Sequence, residues 1–130
     1  MPTKMLSFLT CSILTLCISC SRTETPLTPE VLIGKWSRPD GGYILEIKSL
    51  SEDGDAEAAY FNPKPIHVES AYTAKSKLGA PIIKVVLRDA GYPGSTYVLK
   101  YFKEHDQLVG TYSQPANSQS FNVYFVRQEE

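Results

Sequence analysis

The side chains able to do chemistry are few and poorly grouped. His67 and Glu69 stand two apart in an extended segment, so they share a face, as a metal pair or an acid/base pair would. No third ligand follows them, and His-x-Glu excludes little, so the pair reads as a solvated strand face. His105 lies between Glu104 and Asp106 in a segment with turn composition, where polar residues are expected in any case. Glu52-Asp53-Gly54-Asp55 suggests calcium, but an EF-hand loop spreads its ligands over about twelve residues and ends on a glutamate. A hairpin turn is the better reading. No serine sits in a G-x-S-x-G elbow. Cys11, Cys17 and Cys20 all fall within the first twenty residues, so the body has neither thiol chemistry nor a disulfide framework. An enzyme is not expected; no cofactor and no metal site is expected either.

The tyrosines are more suggestive. Alternation turns Tyr43, Tyr60, Tyr97, Tyr101 and Tyr112 inward, and a buried phenol needs a hydrogen-bond partner where phenylalanine would not. Two readings stay open: a ligand cup, or hydroxyls that reach turns and water at the ends of the fold. Two rigid loops carry further contact candidates, Asn62 in 60–65 and Tyr92 in 90–94. Proline and glycine there hold aromatics in place for a partner, for a sugar or for packing. Asn62 and Tyr92 therefore join the five tyrosines as candidate ligand-binding residues.

Short strands must position these groups. Segments 32–38, 43–48, 56–62, 66–75, 81–89, 95–103, 107–114 and 120–127 are rich in Val, Ile, Leu, Tyr and Phe, and turn residues separate them. Charged residues fix their faces: Leu45 and Ile47 join Tyr43 inside, Ala58 joins Tyr60, and Ile83, Val85 and Leu87 line the fifth. Tyr97, Leu99 and Tyr101 fill the sixth, Leu108, Gly110 and Tyr112 the seventh, and Phe121, Val123, Phe125 and Arg127 the last. In the fourth, Ile66, Val68, Ser70 and Tyr72 point in. Before them, Thr28-Pro29-Glu30 has the composition of a single helical turn that plugs one end. The spacing predicts an all-β fold, an eight-stranded antiparallel up-and-down β-barrel with a short N-terminal helical turn. A two-sheet sandwich is the alternative, but no long crossover loop serves it.

The start of the chain is of another kind. Residues 1–19 read as a signal peptide, with Lys4 ahead of an apolar run too short to span a bilayer well. Cys17-Ile18-Ser19-Cys20 resembles the lipobox of bacterial lipoproteins, which implies lipidation of Cys20 after cleavage. The polar segment 20–29 is then a tether, on the order of 20 Å when extended, and 30–130 is the barrel domain. The resemblance implies a lipid-anchored protein of the bacterial cell envelope, the outer membrane favoured over the inner, with its domain in the periplasm or at the cell surface. Loss of residues 1–19 removes Lys4 and no carboxylate, taking the net charge from −1 to −2. The remaining basic residues are spread singly, so no nucleic-acid partner is expected.

Gly34-Lys35-Trp36 resembles the G-x-W of the calycin superfamily, the lipocalins and avidins. There the tryptophan closes the barrel floor beneath a basic residue of the last strand, a place matched here by Arg127. Gly34, Trp36 and Arg127 are thus assigned to the floor, where an indole under a guanidinium contributes roughly 0.5–2 kcal/mol. Leu108-Val109-Gly110-Thr111-Tyr112 is similar to the L-x-G-x-Y strands of avidins, without the other biotin contacts. The body also looks like a group of bacterial exported domains with Tyr-Phe-Asn-Pro (60–63) and Tyr-Pro-Gly-Ser-Thr-Tyr (92–97) segments, a resemblance that carries no activity. The expected role is a non-enzymatic binding module for a small molecule or an envelope protein. The alternative is a structural or inhibitor-like interaction protein with a filled barrel.

Overall fold

The computed structural model describes residues 27–129. The expected signal peptide, Cys20 and most of the expected tether lie outside the described residues. A 3₁₀ turn at Pro29–Leu32 opens the described chain, as expected. Thr28 stands at its cap in an extended conformation, but its hydroxyl makes no capping hydrogen bond. The expected tether reaches residue 29, yet Leu27 already packs against the core.

Nine antiparallel strands follow: β1 (Gly34–Ser37), β2 (Ile44–Leu50), β3 (Ala56–Phe61), β4 (Pro65–Ile66), β5 (Val68–Lys75), β6 (Pro81–Leu87), β7 (Thr96–Phe102), β8 (Gln107–Gln114) and β9 (Gln119–Arg127). A second 3₁₀ turn, Pro115–Asn117, joins the last two. Sheet order is β4-β3-β2-β1-β9-β8-β7-β6-β5, so consecutive strands pair except β4 and β5, which form the two edges, and β1 also pairs with β9. The sheet curls into a nearly closed barrel. An isolated bridge between Asp55 and Tyr72 holds β3 to β5 across the remaining seam, with Thr73 N–H donating to Gly54 O at 2.7 Å.

Nine strands replace the expected eight because the fourth breaks at His67. There the Asp89 carboxylate accepts from the His67 backbone N–H (3.0 Å) and lies 2.7 Å from its ring Nδ1. The expected inward positions of Ser70 and Tyr72 are also overturned. The β5–β6 register shifts between Val68 and Ser70, and this bulge advances the alternation by one residue. Ala71 is buried in their place, while Ser70 and Tyr72 face out. A similar shift between Ile47 and Ser49 in β2 turns Leu50 back toward the core after the exposed pair Lys48 and Ser49.

The other strands keep a regular period of two. Ile83, Val85 and Leu87 of β6, Tyr97, Leu99 and Tyr101 of β7, Leu108 and Tyr112 of β8, and Val123 and Phe125 of β9 are buried. Phe121, expected with them, is exposed, although it stands opposite the buried Tyr112. Gly110 faces the same way as Leu108 and Tyr112. A Cβ there would sit 1.8 Å from the carbonyl oxygen of Val98, so glycine is required by the close approach of β8 to β7.

Candidate functional site at the mouth of the barrel

The two ends of the barrel differ in what fills them. At the end where the chain enters, Trp36 Nε1–H donates to Leu32 O at 2.9 Å and the indole is fully buried. The Arg127 guanidinium lies 4.2 Å from the Trp36 ring centre. Its Nε and NH2 donate to Asp106, at 2.8 and 3.1 Å, and NH2 and NH1 reach the carbonyls of Val31 (2.7 Å) and Ile33 (3.0 Å). Gly34, at φ 139°, leaves room for this: a Cβ would stand 2.9 Å from Arg127 NH1. Gly34, Trp36 and Arg127 thus sit together at the floor. Asp106, in a left-handed turn conformation (φ 48°), is the partner that sequence reasoning missed. The Arg127 hydrogen bonds hold its carboxyl below the usual range.

Six of the seven candidate binding residues meet at the other end. Tyr97 stacks on Tyr112 at 4.5 Å between ring centres and meets Phe125 edge-on at 5.3 Å. Tyr60 lies 5.5 Å from Tyr97, with Tyr43 and Tyr92 at 6.3 and 6.4 Å from Tyr60. Asn62 Nδ2 donates to the Tyr92 hydroxyl at 2.8 Å, which ties the two aromatic loops to each other. Tyr101 is the exception and corrects the expected grouping. It stands at the floor, its hydroxyl donating to Asp106 at 2.9 Å and its ring edge-on to Trp36.

The mouth is organised by a residue absent from the expected set, Arg38. Its guanidinium donates from NH1 to the Tyr97 hydroxyl at 2.9 Å and from Nε to Asp40 at 2.9 Å, and covers the Tyr43 ring at 4.3 Å. The hydroxyls of Tyr60 and Tyr97 share a further bond of 2.8 Å. One signal could have found Arg38: it lies two residues after Trp36 and so on the same strand face. Burial pushes both phenols, Tyr60 and Tyr97, above their ordinary pKa. For Tyr60 the neighbouring Tyr97 adds to the rise, whereas hydrogen bonds from Tyr60 and Arg38 partly offset it for Tyr97. Burial lowers the Arg38 pKa, but its bonds to Asp40 and Tyr97 outweigh that and leave it raised. The group is therefore a neutral pair of phenols under a fixed cation. No buried side-chain nitrogen or oxygen among the described residues lacks a partner.

The remaining chemical candidates do not converge. His67 engages Asp89 rather than Glu69. An imidazole oriented by a carboxylate is what a general base needs, but this side chain is 70% exposed and stands in solvent. His105 stacks on Phe102 in its turn. Among the described residues, no three His, Cys, Asp or Glu side chains converge as metal ligands. A cleft of about 270 Å³ opens at the floor end, lined by Glu30, Glu52, Asp53, Thr73 and Lys75 among others, far from the tyrosines. Compared with family models, with curated proteins and with solved structures, the chain matches none.

Proposed function

We propose that this chain is a non-enzymatic lipoprotein of the bacterial cell envelope, anchored through Cys20, whose barrel is filled and which works through its outer surface. The observation that carries this reading is the closed relay Arg38–Tyr97–Tyr60. The hydroxyls of Tyr60 and Tyr97 are engaged with each other and with Arg38, and the rings of the mouth pack stacked or edge-on at 4.5–6.4 Å between centres. A ligand entering the mouth would have to break these buried bonds without the gain of meeting unsatisfied groups. The floor of Gly34, Trp36 and Arg127 supports the calycin-like reading of the barrel.

Native mass spectrometry of the protein purified from its own envelope tests this. The expected species is the lipidated chain alone. A stoichiometric small molecule that is lost on Tyr97→Phe would overturn the filled barrel in favour of a binding cup.

A further inference from the structure

The outer wall of the barrel is divided by charge. Strands β6 to β9 contain no aspartate or glutamate, and Lys84 and Lys100 are the charged residues on their outer face. Around Lys100 stand Val98, Phe102, Val109 and Tyr124, each exposed by two-fifths or more, with Lys100, Val109 and Tyr124 in one cross-strand row. The opposite wall, β2 and β3 with their turn, carries Glu46, Glu52, Asp53, Asp55 and Glu57 against the single cation Lys48.

The floor end of the lysine wall has a second feature. Leu78 is 98% exposed at the tip of the β5–β6 turn, beside Lys77. Pairing of Ile82 with Lys100 sets that turn next to the end of β7, where Phe102 is exposed and the exposed Lys103 and Glu104 follow; Lys77 and Lys103 against Glu104 leave the rim net positive. The N-terminal 3₁₀ turn packs across the floor against both β6 and β2, so the chain enters the domain at the same end as this rim. Six residues separate Cys20 from Leu27, a reach on the order of 20 Å.

We propose that this rim, Lys77, Leu78, Phe102 and Lys103, docks on the anionic phospholipid surface that holds the anchor. The inference rests on the anchored reading above. A fully exposed leucine beside Lys77, with Lys103 in the neighbouring turn, is suited to the boundary of acyl chains and headgroups, where the apolar side chain inserts and the ammonium groups meet phosphates. A second copy of the chain fits poorly, since self-pairing of this wall would oppose lysine to lysine. Charge also sets the tilt. Glu30, Glu52 and Asp53 on the other side of the floor are repelled by the same surface, so the β5–β8 edge turns down and the β2–β3 turn is lifted.

The test uses the full lipidated chain, purified from membranes and reconstituted in vesicles of phosphatidylcholine with or without phosphatidylglycerol. An environment-sensitive dye is placed on Leu78→Cys or, as a control at the same end, on Asp53→Cys. With anionic lipid, the dye at position 78 is expected to brighten roughly two-fold or more and to be quenched by spin-labelled lipid, while the dye at 53 is not. Lys77→Glu with Lys103→Glu should abolish the difference without releasing the protein. Equal behaviour at 78 and 53 overturns the proposal. So does shielding at 78 that arises only when envelope proteins are added and lipid quenching stays absent; this would assign the rim to a protein partner. Intact-mass measurement of Cys20 reads the anchor separately. If it carries no lipid, the anchored reading fails alone. The label is then read on a chain with its native cysteines replaced by serine as vesicles are added: quenching at 78 sustains the rim, and its absence overturns it.

Discussion

Each end of the barrel holds an arginine against an aromatic ring, an aspartate beside it and a tyrosine hydroxyl in the network. Arg127 covers Trp36 at 4.2 Å and Arg38 covers Tyr43 at 4.3 Å. The difference lies in where each arginine finds its carboxylate. Arg38 takes its carboxylate from Asp40, two residues away and largely exposed. Arg127 takes its carboxylate from the β7–β8 turn and two carbonyls from the start of the domain. Similar chemistry therefore makes an ionic lock at the floor, while at the mouth the ion pair is local and the long-range bond runs from Arg38 to the Tyr97 phenol. The mouth depends on its buried phenols rather than on its ion pair.

Substitutions should break this contrast in a definite order. Trp36→Ala removes the fully buried floor and should cost about 3–5 kcal/mol in urea unfolding; a loss no larger than that of any mouth substitution would erase the distinction. Tyr97→Phe leaves both Arg38 and Tyr60 short of a partner in a buried site, for about 1–3 kcal/mol by the same measurement. Asp40→Asn should cost below about 1 kcal/mol, because its pair is exposed on one side. A cost equal to that of Tyr97→Phe would show that the ion pair, not the phenol relay, holds the mouth.

The smallest effect concerns acid. The Asp106 pKa is lowered in the folded protein, so its contribution is complete above the unfolded aspartate value of about 3.9 and is lost as the pH falls through the lower folded value. The urea midpoint of Asp106→Asn should therefore fall less steeply than that of the parent below about pH 4. Identical acid limbs would remove Asp106 from the lock.

The floor was legible because its parts are rare types at fixed places: a lone tryptophan after Gly34 and an arginine closing the last strand on the core face. Strands β6 to β9 were legible because their alternation is uninterrupted. The fourth segment was misread because a bulge has no signature in composition, and one inserted residue between Val68 and Ser70 reverses every face after it. Arg38 was missed because a charge reads as a solvent-facing residue, whereas its partners Tyr97 and Asp40 make an inward place tolerable. Tyr101 shares its strand face with Tyr97, and period-two reasoning cannot say which end of the bore a side chain serves.

The pairing of β1 with β9 also sets a clock. Arg127 bonds to carbonyls 94 and 96 positions earlier in the chain. During synthesis, the first strand must wait for the last, roughly 5–20 seconds for about a hundred residues at ordinary translation rates. Until then β1 has one open edge and Trp36 lacks its cover.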